Sequence, residues 1–157
     1  MPDYAGAKAA IRARLAANWA TTPITYQNEP PRGQNDDPPA PWPPRDGDGF
    51  PLSWVNLEIA GTGSRIVGQG TPGNHVWRYD GIIYVHVFTP INTGIELGDQ
   101  YAVAIGEIFR AAKFYDTTPG FCVRSLAPSI DDAESGDDNG NWSRTTMHCD
   151  FTYWHRG

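Results

Sequence analysis

The sequence predicts an α+β domain: a mostly antiparallel mixed sheet, two main helices packed on one side of it, and a long proline-rich loop. Three observations predict this. Two segments repeat apolar residues with the period of a helix, and several others alternate with the period of a strand. The strands also come in runs, giving the order helix, short strand, long loop, strand meander, helix, two strands. A length of 157 residues fits one domain, 1–157, better than two.

The first helix is expected in "YAGAKAAIRARLAANW", rich in Ala, Arg and Leu. Ala7, Ile11, Leu15 and Trp19 recur every four residues and form an apolar stripe, leaving Lys8, Arg12 and Arg14 to face water. It ends before Thr21-Thr22-Pro23, because proline disfavours helical geometry in the residue before it. Ile24 to Gln27 then reads as a short strand.

Residues 28–51, "NEPPRGQNDDPPAPWPPRDGDGFP", hold too many prolines and turn residues for a helix or a central strand. Trp42 and Phe50 are the only large apolar anchors of this loop. Trp42 has three readings: docked on its own domain, in contact with a neighbouring subunit, or simply exposed.

In "SWVNLEIAG", Val55, Leu57 and Ile59 alternate with Trp54, Asn56 and Glu58, the mark of a half-buried strand. Gly61 and Gly63 are expected to end it. "SRIVGQG" is a weaker strand, and "HVWRYDG" leads to an expected turn at Asp80-Gly81. In "IIYVHVFTP", Ile83, Val85 and Val87 take one face and Tyr84, His86 and Phe88 the other. Both faces are largely apolar, which predicts a central strand covered on both sides. Pro90 closes it.

Leu97 to Lys113 is the second expected helix, with Gly106 permitting a close approach to the sheet. "FCVRSLAPSI" and "WSRTTMHCDFTYWH" are the last strands. Between them, residues 131–141 carry five acidic side chains and no basic one, and read as a solvated loop or hairpin tip. Cys122 and Cys149 lie at equal distances from Ser135-Gly136. They become cross-strand neighbours if that junction is the turn, though spacing alone does not establish a disulfide.

The net charge of -6 gives no basic footprint for gripping phosphates and would repel nearby DNA. No apolar run approaches the roughly 20 residues of a membrane span. The N-terminus lacks the basic and apolar regions of a secretory signal, so none is expected. Two cysteines make no metal cage or disulfide scaffold, and a reducing cytoplasm is the simplest compartment.

The chemical motifs are negative. "GTGSRIVGQGTPG" is glycine-rich but lacks the Gly-Lys-Ser/Thr ending and following helix of a phosphate loop. Ser53, Ser64, Ser125 and Ser143 sit in no glycine-flanked nucleophile elbow. His148 and Asp150 share a strand face, with His86 on another strand, but such spacing is ordinary for solvent-facing residues. No catalytic residue, cofactor or metal is expected.

Taken together, the short helix with "TTPITYQNEP", then "WVNLEI", then "YDGIIYVHVFTPINTG" running into "ELGDQYAVAIGEIFRAA", then two C-terminal strands, resembles the tail terminator proteins of long, flexible-tailed phages. The likeness spans most of residues 4–154. It implies a mixed α/β domain that self-associates as a hexameric ring in the virion tail or neck, after folding in the bacterial host cytoplasm. It also implies partners: the tail tube protein, whose polymerisation the ring stops, and the head-tail connector, to which it joins the tail. DNA would pass through the lumen without specific binding, and no membrane is involved. Other neck, minor tail or adaptor proteins of phage-like particles are the alternative. For such a ring, Trp42, Trp54, Trp77 and Tyr79 are the candidate interface aromatics. Arg65, Arg78 and Arg144 are the candidate polar rim.

Overall fold

The structure, a computed structural model, describes residues 2–31, 33, 37–135 and 141–157 (side chains of 133–135 excepted). Its elements are α1 (Tyr4–Asn18), β1 (Ile24–Tyr26), β2 (Trp54–Gly68), β3 (Val76–Pro90), α2 (Glu96–Phe109), β4 (Lys113–Phe114), β5 (Cys122–Ser135) and β6 (Trp142–Arg156). The strands form one six-stranded sheet in the order β1-β2-β3-β6-β5-β4. β1 runs parallel to β2, and every other neighbouring pair is antiparallel. The sheet is therefore mixed and mostly antiparallel, as the sequence predicts.

Alternation sets which face is buried. Leu57 pairs with Val85 and Val85 with Met147, while Ile59 pairs with Ile83 and Ile83 with Cys149. Cross-strand partners point to the same side, so these residues form one apolar face. Asp3 starts α1 by accepting the Gly6 amide on its carboxylate, 2.6 Å. The stripe Ala7, Ile11, Leu15 is fully buried, as are Ala102, Ile105 and Phe109 of α2. Both helices share one core cluster with that sheet face. Arg14 ties them by donating from Nε to the Ile108 carbonyl, 2.8 Å. Each large apolar side chain buried here contributes about 1.5–3 kcal/mol.

α2 lies close on the sheet because of Gly106. A Cβ there would sit a tight 3.1 Å from the Pro128 side chain, so glycine eases the close approach of helix and strand.

Several expectations are corrected. Gly61 and Gly63 do not end β2; they mark a bulge in one 15-residue strand that takes in "SRIVG". Asp80-Gly81 is not a turn but lies inside β3, paired on both sides. Gly81 is needed because the Phe151 ring crosses it, where a Cβ would come within 2.6 Å. The reversal falls instead at 69–75, where the Asn74 amide bonds to the Thr71 carbonyl at 2.9 Å. The first strand stops at Tyr26, and the side chain of Gln27 accepts the Ile59 amide at 3.1 Å.

α2 stops at Phe109 rather than Lys113. Ala111 turns left-handed (φ 46°) and its amide donates to the Leu126 carbonyl, 3.0 Å, so Lys113–Phe114 becomes β4. Asp131–Ser135 of the expected acidic loop belong to β5, with Asp131 paired to Thr146; residues 136–140 lie outside the described residues. β3 is central but its second face is covered only in part: Phe88 is buried, while Tyr84 and His86 remain half-exposed. Cys122 pairs with Trp154 and Cys149 with Pro128, so the two cysteines are not neighbours and both are free.

Candidate functional site

The face of the sheet turned away from the helices is open, and its composition follows from the same alternation that builds the core. Even-numbered residues of β3 project there, with their partners on β2 and β6. At one end Trp54 stacks on Phe88, ring centroids 4.1 Å apart, with Trp142 edge-on at 6.2 Å. Trp42 completes this group, meeting Trp54 edge-to-face at 5.1 Å. Of its three readings, docking on its own domain is the one the geometry gives, although the ring stays half-buried. The loop around it is tied by Asp46, whose carboxylate accepts the amides of Asp48 and Phe50, both 2.9 Å. Residues 32 and 34–36 of that loop lie outside the described residues.

In the middle of the open face, Glu58 Oε2 lies 3.3 Å from His86 Nε2, and His86 Nδ1 lies 2.9 Å from Thr146 Oγ1. Beside them His148 Nδ1 sits 3.3 Å from Asp131 Oδ2. Acid, imidazole and hydroxyl thus follow in the order of a nucleophile relay. The setting does not complete one. Thr146 sits mid-strand, paired with His86 on one side and Asp131 on the other, so nearby amides serve the sheet ladder. An oxyanion needs free donors aimed at it. The row reads as polar cover of a sheet face. Among the described residues no group of three or more His, Cys, Asp or Glu is placed to hold a metal.

At the other end β2 and β3 form a hairpin arm, with β3 still paired to β6 as far as Val76 and Arg156. Arg65 pairs in register with Arg78, and Ile66 with Trp77. Arg78 is engaged by Asp80 at 2.8 Å, and Trp77 donates from Nε1 to the Gly157 carbonyl at 3.2 Å. Arg65 is exposed and has no ionic partner among the described residues. Ile66 and Val67 beside it are exposed at 51% and 38%.

The seven candidate residues therefore fall into three places. Trp42, Trp54 and Arg144 gather at the aromatic end, Arg144 pairing with Phe88. Arg65, Trp77 and Arg78 gather on the arm. Tyr79 goes elsewhere: it stacks on Tyr4 at 5.1 Å and lies 5.9 Å from Tyr153, under α1. The residues outside that candidate interface set are Phe88, Trp142, His86 and Thr146 on the open face, with Ile66, Leu126 and Ile130 at the edges. The even-odd alternation of β3 and β6 contains the signal for the first four.

Two edges of the sheet are also uncovered. β4 pairs only with Val123 and Arg124, so β5 has no outer strand from Leu126 onward among the described residues. Leu126 and Ile130 there are exposed, together with Val103 of α2. On the other side β1 covers only Val55 to Leu57, so among the described residues the rest of β2 has no outer strand. The thiol of Cys149 is pushed up in pKa, mainly by burial, which disfavours its reactive thiolate form.

No family model matches this chain, and no curated protein does. Among solved structures, one protein known only by a serial designation shares 17% identity, covering 93% of this chain and 94% of that one, with a TM-score of 0.55. At that identity the likeness concerns the fold alone.

Proposed function

We propose that the protein is a ring-forming structural subunit that caps a phage tail tube, stopping tube polymerisation and joining the tail to the head-side connector. The observation that carries this reading is the distribution of covered and uncovered surface. The helices cover one face and the other is left to half-buried polar side chains and aromatics packed on one another, while both edges present aliphatic and charged groups outward. Rings need two different patches per subunit, each complementary to a patch on the neighbour, and the arm and the β5 edge are two such patches. The overall order of elements, which resembles tail terminators, supports the same reading.

In this reading the ring is a hexamer, its partners are the tube protein and the connector, and DNA passes through an acidic lumen without being bound. Termination is geometric. One surface fits the tube end and the opposite one offers nothing for the next tube subunit, while selecting the connector by shape and charge.

Electron microscopy of particles assembled without this protein is the test. Overlong, headless tails are expected. Tails of normal length that merely lack heads would favour the adaptor alternative, and tails of normal length joined to heads would sink both.

A further inference from the structure

The two uncovered edges differ in charge. On β2 the free stretch presents Arg65 beside Ile66 and Val67; on β5 it presents Ile130 beside Asp131 and Asp132. We propose that the free edge of β2 in one copy pairs antiparallel with the free edge of β5 in the next copy, placing Arg65 opposite Asp131 and Ile66 opposite Ile130. This rests on the ring reading above and specifies the contact that builds the ring.

The faces agree in that register. Arg65 pairs with Arg78 and Asp131 with Thr146, whose partner is His86; Arg78 and His86 are both even-numbered positions of β3, on the open face. Ile66 and Ile130 then share the opposite face, where Ile130 pairs with Met147 of the core. The sheet continues from copy to copy with its helical and open sides preserved.

Charge selects the partner. An exposed strand edge invites any strand, and charged side chains are a usual guard. Here β2 against β2 sets Arg65 near Arg65, and β5 against β5 gathers Asp131 and Asp132 with their copies. Like charges directly opposite destabilise a strand pair. Only β2 against β5 neutralises both, and that contact is heterologous, the kind that propagates around a ring instead of closing a dimer. The two free stretches lie toward opposite ends of the sheet, so neighbours are offset along the strands. Closed strand rings take up such offsets as strand tilt.

Light scattering and mass photometry of three samples test this: the parent chain, Arg65→Glu, and the double variant Asp131→Lys with Asp132→Lys. The parent is expected to assemble, and each variant alone to assemble at least about tenfold more weakly. In an equimolar mixture alternating copies restore every contact, half with the native sign and half reversed, and the mixture is expected to assemble within about threefold of the parent. That rescue shows both variants are folded. Assembly indifferent to the reversals, or a mixture no better than its components, overturns the edge pairing and leaves the ring reading to the tail-length test. A parent that stays monomeric at millimolar concentration also overturns it.

Discussion

Tyr153 is fully buried, and no protein group among the described residues bonds to its hydroxyl. It lies among Tyr4, Tyr79 and Tyr115, with ring centroids 5.9 to 6.3 Å away. Burial, assisted by the neighbouring phenols and Asp3, pushes its pKa up to about 12. The sign of the consequence follows from proton linkage. The folded state holds this proton more tightly than the unfolded chain, whose phenol titrates near 10. Stability from this group is thus complete below about pH 10 and is lost as pH rises through about 12. Thermal melts across alkaline pH are expected to fall in that window, and Tyr153→Phe to flatten the fall. At neutral pH the same substitution removes an unpartnered hydroxyl, so it should change stability by no more than about 1 kcal/mol. A parent and variant with identical alkaline profiles would contradict the assignment.

At the scale of the element, the aromatic contact that holds the proline-rich loop to the sheet among the described residues is Trp42 on Trp54, while Glu29 at the loop's start is held by Arg12 of α1 at 2.7 Å. Edge-to-face pairs are worth about 0.5–1.5 kcal/mol. Trp42→Ala is therefore expected to raise protease cleavage within residues 28–51 by about two- to tenfold, with little change in melting temperature. Unchanged cleavage would mean the loop is held elsewhere. The elements themselves were legible where a single period governs them. Every fourth residue of α1 is apolar and buried, and Val55, Leu57, Ile59 and Ile83, Val85, Val87 mark one face of β2 and β3. Three things were not legible, each for a physical reason. Asp80-Gly81 has turn chemistry, but its glycine serves a ring packed from β6, a contact remote in sequence. Tyr84, His86 and Phe88 look apolar whether covered by a helix or left at a surface, so alternation fixes the face and not its cover. β4, with two residues, is too short to carry a period. Aromatic and arginine content pointed to residues at both ends of the sheet, while for Tyr79 it left open an interface or a place over the core, and Tyr79 packs on Tyr4 of α1.

At the scale of the whole molecule, one apolar cluster includes residues from α1, α2 and four strands, β2, β3, β5 and β6. A shared core makes unfolding cooperative. Tryptophan fluorescence and far-ultraviolet circular dichroism are expected to report one coincident denaturant transition, although Trp54 and Trp142 lie on the open face and Trp19 beside the helices. Two separated midpoints would show that the arm or the open face melts independently.

Gly61 and Gly81 face each other across the root of the arm, at the bulge in β2. Neither has a side chain, and the space is taken on the helical side by the Phe151 ring and the Tyr4 hydroxyl. β3 stays paired to β6 through this stretch, from Gly81 with Phe151 to Val76 with Arg156, so the arm is held by the sheet. The bare backbone at the two glycines lets the rings lie flat against the strands, and any side chain placed there would have to lift them off.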